Sequence, residues 1–404
     1  MKDIKDISVK KNIPDVVNYI NDLFDNAITD NISDIHIETT KDFLFIRCRK
    51  DWDFEIYDKI DQEHISTIIT RLKVLAKVKI DENKKPQDGK IVYKSEKKSE
   101  TIDIRVSTLP TIYWEKVVMR VLRQDASLIN LNSIWLYENN LEKVKNVLKS
   151  KFGIILVAWP TWSGKSTTLF SIIKDFNPLE YNISTLEDPV EYNIDYVNQS
   201  QIKPEIWYTF ASWLRSLVRQ DPDIIMVWEI RDKETALLSI EAALTWHLVL
   251  STIHTNSASA TIQRLINMGI EPFLITSALK MVISQRLVKR ICSHCKTKEN
   301  IDEHIKQKVK KELSNIVDIN EIDEWSFYKW VWCEKCKWSW YSWRLWVHEV
   351  LVLWEYLEKD ILEMSSASEI HKNAVKNGMI TIIQDAIIKS AMWDTTLEEA
   401  FKLI

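Results

Sequence analysis

Glycine is nearly missing from this chain: 5 residues in 404, where average usage near 7% would supply about 28. Read literally, the shortage excludes most left-handed turns and close backbone approaches to a ligand, which glycine makes without steric cost. Long apolar runs are also absent. None approaches the ~20 residues of a membrane span, and the start, MKDIKDISVKK, lacks the apolar core of a secretory signal. Neither charge sign dominates, because 54 basic and 58 acidic residues leave -4, so no global basic field points to nucleic acid or anionic lipid. These absences predict a cytoplasmic protein without a transmembrane segment or direct nucleic-acid partner, attached to a membrane only through other proteins. Its length predicts two to four domains with a sizeable core and excludes a stapled miniprotein.

What is abundant is tryptophan, at 18 residues. The 5 glycines and 18 tryptophans together make 23, close to an ordinary glycine count. Several tryptophans stand where a chain reversal or phosphate contact would want glycine, most plainly in WSWYSWRLW (338–346). This pattern predicts that most of these positions are glycine in the natural protein, as when UGA codons that a host reads as glycine are translated with the standard table. The intact mass of the native protein decides the matter, since each exchange removes an indole side chain.

Residues 15–28, DVVNYINDLFDNAI, place Val16, Val17, Ile20, Leu23, Phe24 and Ile28 at helical spacing. SDIHIE (33–38) and FLFIRCR (43–49) alternate as strands, a helix is expected near 62–79, and KIVYKSE, ETIDIRVSTLP and VVMRVL (117–122) read as further strands. This is a small α/β domain over 1–123. A polar, broken stretch from 124 leads into a second texture: the apolar strands IILVA (154–158), NISTLED (182–188), DIIMVWEI (223–230) and HLVLSTIH (247–254), separated by helical segments. Such runs predict a parallel α/β sheet covered on both faces, with ligands beyond the strands' carboxyl ends. The expected divisions are 124–150 for the linker and entry, 151–290 for the parallel core, 291–346 for a cysteine-bearing insert and 347–404 for a helical region.

WPTWSGKST, comprising Trp159, Pro160, Thr161, Trp162, Ser163, Gly164, Lys165, Ser166 and Thr167, follows a strand and precedes a helix. Gly164, Lys165 and Ser166 fit the second half of the phosphate-binding loop G-x-x-x-x-G-K-[ST], with position 159 where its first glycine belongs. Such a loop points backbone N–H groups at phosphate, Lys165 neutralises charge and the Ser166 hydroxyl ligates Mg²⁺. Indoles at 159 and 162 would damage the loop; glycine at both would complete it. Glu229 ends an apolar strand, where a carboxylate can hold the Mg²⁺ water shell or polarise attacking water. Glu187 and Asp188 end another strand, and His254 ends a third, where an imidazole can contact the γ-phosphate. Cys292-x-x-Cys295 and Cys333-x-x-Cys336 form two knuckles that predict a four-thiolate structural zinc site, with His294 a possible substitute ligand. Cys48 reads as core. Lys90 and Arg105, taken from spacing alone, read as surface cations.

In order, SDIHIE, KKPQDGKI, DIRVSTLPT, the phosphate loop, TLEDPVEY, FASWLRSLVRQDPDIIMVWEIRD, ALTWHLVLSTIHTNSA, the knuckles and GMITIIQDA resemble the secretion ATPases that drive type II secretion and type IV pilus assembly. The resemblance runs from about residue 14 to the end. It implies a RecA-like ATPase core preceded by a smaller, PAS-like α/β domain, with a zinc-binding insert and a C-terminal helical region, assembled as a homohexameric ring. ATP, Mg²⁺ and Zn²⁺ are the implied cofactors. By the same resemblance Glu187 is an acidic-box residue, Glu229 the carboxylate of the second Walker motif, and His254 the histidine-box residue. Lys90 and Arg105 match positions from which the first domain reaches a neighbour's nucleotide; the family usually has arginine where Lys90 stands, and lysine lacks the bidentate fork. The family pattern has glycine at 52, 114, 135, 159, 162, 207, 213, 228, 246 and through 338–346, where this chain has tryptophan. The implied work is pilus assembly or protein secretion against an inner-membrane platform protein. A retraction or DNA-uptake motor, a nucleic-acid translocase, and a non-hydrolysing ring subunit if the loop indoles are real, are the alternatives.

Overall fold

The computed structural model describes residues 9–10, 13–50, 53–95, 97, 101–123, 130–158, 165–191, 193–203, 208–317, 322–331, 333 and 341–403. The chain divides into two compact units, 1–125 and 126–404.

In the first unit, α1 (Val16–Thr29) starts where the Asp15 side chain accepts from the Val17 and Asn18 backbone N–H groups, and it buries Ile20, Leu23, Phe24, Ala27 and Ile28. It is followed by β1 (Asp34–Thr39), β2 (Phe43–Lys50), β3 (Asp53–Asp61), α2 (Ile65–Ala76), β4 (Gln87–Lys94), β5 (Thr101–Pro110) and β6 (Glu115–Arg123). The six strands form one antiparallel sheet in the order β3-β2-β1-β6-β5-β4. The β1–β6 pairing unites what sequence reading described as a strand pair plus a separate hairpin region. Gly89 on β4 lies so close to the end of α2 that a Cβ there would meet the Ala76 carbonyl oxygen at 2.5 Å, and only glycine fits. The buried Lys73 ammonium sits 2.5 Å from Glu115 and donates to the Glu82 carbonyl at 2.8 Å, which satisfies a charge that burial alone would penalise.

The second unit comprises α3 (Glu138–Leu148), β7 (Gly153–Ala158), α4 (Lys165–Ile173), β8 (Ile183–Glu187), β9 (Asn198–Gln201), α5 (Phe210–Leu217), β10 (Ile224–Val227), α6 (Lys233–Leu244), β11 (Leu248–Ile253), α7 (Ala258–Asn267), α8 (Pro272–Ala278), β12 (Leu279–Ile291), β13 (Lys296–Glu299), α9 (Glu303–Leu313), β14 (Phe327–Trp330), β15 (Tyr341–Val352), α10 (Glu355–Leu362), α11 (Ala367–Lys376), α12 (Ile382–Ala391) and α13 (Leu397–Phe401). Its main sheet runs β15-β12-β7-β11-β10-β8-β9, parallel except for β15. The four central strands β7, β8, β10 and β11 are buried along their whole length, with helices against them.

Two expectations change here. Residues 347–352 are strand, not helix, and 341–346 belong to the main sheet rather than to the cysteine insert, because β15 pairs antiparallel with β12 from Met281↔Val352 to Ile291↔Tyr341. The insert keeps a ribbon of its own, β13 against β14, with α9 between them in sequence. Among the described residues, three tryptophans lie in the left-handed region: Trp135 at φ 60°, Trp246 at φ 71° and Trp393 at φ 70°. An L side chain costs about 1–2 kcal/mol there. Trp228 is different, its indole fully buried beside Phe170 at 6.3 Å between ring centroids.

Candidate active site

The parallel strands converge on one end. Beyond Ala158, the last residue of β7, come residues 159–164, which lie outside the described residues, and α4 then opens at Lys165. The phosphate-loop expectation, with the side chains of Lys165 and Ser166, falls in this undescribed part. Its flanks have the strand and helix that such a loop requires. The sheet order β7-β11-β10-β8 sets His254, Glu229 and Glu187, in that sequence, at successive strand ends beside it.

Hydroxyls fasten these strand ends together. Ser251 Oγ donates to the Val227 carbonyl at 2.7 Å, Thr252 Oγ1 donates to the Trp228 carbonyl at 2.5 Å, and the Ile230 N–H donates to the Thr252 carbonyl at 2.9 Å. The Glu229 carboxylate is therefore presented from a fixed backbone. It is 2% exposed, with Oε1 2.7 Å from His254 Nε2 and Oε2 2.9 Å from Arg231 Nη2. A carboxylate only accepts, so a neutral imidazole must carry its proton on Nε2 to make that contact. Arg231 also lies 3.9 Å from Asp188 at the end of β8, and its contact with Glu229 raises its own pKa and keeps the guanidinium charged.

Glu187 is fully buried, and its Oε1 accepts from Thr185 Oγ1 at 2.7 Å and Gln199 Nε2 at 2.8 Å. Burial pushes its carboxyl above the ordinary carboxylate range, and those two hydrogen bonds oppose the shift without cancelling it. Glu229 and Glu187 thus stand in different surroundings on neighbouring strands, one between two cation-forming groups and the other among neutral donors.

The segment after His254 is braced from behind. Ser257 caps α7 by accepting from the Ala260 N–H, and the buried Glu349 of β15 accepts from the Ala258 N–H at 2.9 Å. On the other side of the phosphate-loop flanks, Thr168 of α4 donates to Gln285 Oε1 at 2.5 Å, and β12 reaches that point because Ser284 pairs with Ala158. Sequence reading passed over Arg231, Glu349 and Gln285. For Arg231 the signal was available: E-x-R at a strand end puts two side chains on one side of the chain. Gln285 and Glu349 carried none, because their partners are distant in sequence.

In the first unit, Lys90 and Arg105 face each other across the β4–β5 register, and Lys90 Nζ is 2.5 Å from Asp103. Cys48 is buried, as expected. In the second unit, the β13–β14 ribbon brings Cys333 beside Cys292 and Cys295. The sulfur atoms of Cys292, Cys295 and Cys333 lie within 4.8 Å of one another, and those of Cys292 and Cys333 are 3.9 Å apart. Tetrahedral Zn–S bonds of about 2.3 Å require S···S spacings of about 3.8 Å. The Cys292–Cys333 spacing meets that demand and Cys295 lies near both; Cys336 lies outside the described residues.

The family Type II/IV secretion system protein matches residues 10–402. The chain is 40% identical over 381 residues to the type IV pilus assembly ATPase PilB of Thermus thermophilus, covering 94% of this chain and 42% of that one. It is 38% identical over 388 residues to the type II secretion system ATPase E of Vibrio cholerae, covering 96% of this chain and 75% of that protein. The chain thus spans under half the length of the Thermus relative and three quarters of the Vibrio one. Its fold resembles the ATPase DotB of Legionella pneumophila, with a TM-score of 0.69 at 20% identity over 98% of each chain. Among the described residues no helix is long and apolar enough to cross a membrane. A strand and a helix flanking residues 159–164, a buried glutamate joined to a histidine at the neighbouring strand ends, and a family match over residues 10–402 agree, and the chain belongs to the Type II/IV secretion system protein family.

Proposed function

We propose that this protein hydrolyses ATP with Mg²⁺ and turns the hydrolysis into mechanical work for type IV pilus assembly or type II protein secretion. The observation that carries this is Glu229, buried at the end of β10, joined to His254 on the next strand and adjacent to the flanks of the phosphate loop. In this reading residues 159–167 wrap the triphosphate, Lys165 neutralises it, Ser166 holds Mg²⁺, and Glu229 readies the attacking water. His254, hydrogen-bonded to Glu229, reports the loss of the γ-phosphate, and Glu187 supplies the second carboxylate. The protein works as a homohexamer at the cytoplasmic face of the inner membrane against a platform protein, with Arg105 and Lys90 of one subunit serving the nucleotide of the next. Cys292, Cys295, Cys333 and Cys336 hold a structural zinc, a role supported by the spacing of the three described sulfurs.

Glu229→Gln tests the core of this reading. The variant should retain ATP and lose turnover, measured as phosphate release under saturating nucleotide; unchanged hydrolysis removes Glu229 from the mechanism.

The natural residue at most of the tryptophan positions is glycine in the same reading, supported by the left-handed backbone at Trp135, Trp246 and Trp393. The literal sequence favours a second possibility, a ring subunit that does not hydrolyse, because indoles at 159 and 162 would occupy phosphate volume. Nucleotide binding by protein made with tryptophan at both positions and by protein made with glycine at both separates the two.

A further inference from the structure

The site contains a cation for which the reaction just proposed has no assigned use. Arg231 leaves the end of β10 two residues after Glu229, and its guanidinium stands 2.9 Å from the carboxylate oxygen that His254 does not touch. It reaches at the same time toward Asp188 on β8, at 3.9 Å. The two ends of the contact differ sharply in surroundings. The Glu229 side chain is 3% exposed, whereas that of Arg231 is 58% exposed. A buried carboxylate depends on its partners for compensation, while an exposed guanidinium loses little by moving.

Among the described residues, His254 holds one oxygen of the Glu229 carboxylate and Arg231 stands against the other. The hydroxyl bonds of Ser251 and Thr252 fix the backbone of β10 but do not reach the carboxylate plane. A base that must meet a water within hydrogen-bond range needs that plane fixed, since misplacement by about 1 Å can cost a hundredfold in rate.

We propose that Arg231 is a positioning residue for Glu229, setting the plane of its carboxylate opposite His254 and tying it to Asp188 of the neighbouring strand. This rests on Glu229 being the group that readies water. Arginine suits the task because its planar guanidinium holds Nη2 against Glu229 as an ion pair while Nη1 stays within ion-pair range of Asp188, which a single lysine ammonium does not do with the same planarity.

The test is a double-mutant cycle on the full chain, read as ATP turnover with radiolabelled nucleotide so that residual rates are measurable. Arg231→Ala should lower kcat about 10- to 100-fold with KM within about twofold, the pattern of a lost transition-state contribution rather than lost binding. Arg231→Lys should recover part of that loss. In a Glu229→Gln background, Arg231→Ala should cause no further loss. A wild-type kcat in Arg231→Ala overturns the proposal, as does an equal loss in the Glu229→Gln background, which would make Arg231 act on the phosphates directly. Full turnover in Glu229→Gln alone instead removes the base assignment on which the proposal stands. Asp188→Asn serves as a second variant that keeps the Arg231–Glu229 pair; a kcat drop smaller than that of Arg231→Ala, again at constant KM, is the expected outcome, and a larger drop counts against Arg231 as the positioning group.

Discussion

Replacing Trp246 by glycine and, separately, by alanine measures whether the tryptophan positions are glycine positions in physical terms. Trp246 has φ 71° between α6 and β11, is 72% exposed, and touches Phe152 at 4.7 Å between ring centroids. Moving to glycine removes a left-handed strain of about 1–2 kcal/mol and forfeits a ring contact of about 0.5–1.5 kcal/mol. The two nearly cancel, so Trp246→Gly should lie within about 1 kcal/mol of the parent. Trp246→Ala forfeits the same contact and keeps most of the strain, so it should be less stable than the glycine variant by about 1 kcal/mol. At an ordinary helix or strand position the order is the reverse, with alanine ahead of glycine by about 0.5–1 kcal/mol. Urea unfolding followed by circular dichroism reads the sign of the difference without relying on indole fluorescence. An alanine variant as stable as the glycine variant, or more so, would refute the strain argument for Trp246 and weaken it for Trp135 and Trp393.

Two further outcomes follow from the buried groups. Removing metal with a chelator should lower thermal stability and free the knuckle thiols to a thiol reagent, while Cys48, whose thiol burial pushes up to about 12, stays unreactive; metal-free protein of undiminished stability would exclude a structural metal. Burial, reinforced by the Lys389 charge, holds His348 well below the ordinary histidine range, so the folded state resists a proton that the unfolded chain accepts near pH ~6.5. Stability should therefore fall as pH drops below about 6.5, by up to about 1.4 kcal/mol per pH unit until the folded form also titrates, and His348→Gln should flatten that slope in urea titrations. The neighbouring Asp385, raised by burial, opposes the trend where it takes up its own proton.

The parallel core was legible because β7, β8, β10 and β11 are short unbroken apolar runs, a pattern made by burial on both faces. β12 and β15 were not. LKMVISQRLVKRI and YSWRLWVHEVLV intersperse charged residues with apolar ones, and their burial comes from α7 and α12, which lie far away in sequence or after them. Glu229 and His254 could be found because strand ends announce themselves. That the two side chains meet at 2.7 Å could not, since it depends on β10 and β11 being neighbours in the sheet. Position 228 marks a limit of glycine reasoning: the family pattern calls for glycine there, yet the indole fills core beside Phe170, and no left-handed backbone argues for its removal.

The hydroxyl bonds from β11 to the last carbonyls of β10 have a mechanical consequence. Where two neighbouring strands would normally fray apart, Ser251 and Thr252 splice them into a single plank. A tug on the histidine is then passed to the glutamate without slack, and in the proposed mechanism that would make the departure of a phosphate and the readiness of the next water one movement rather than two.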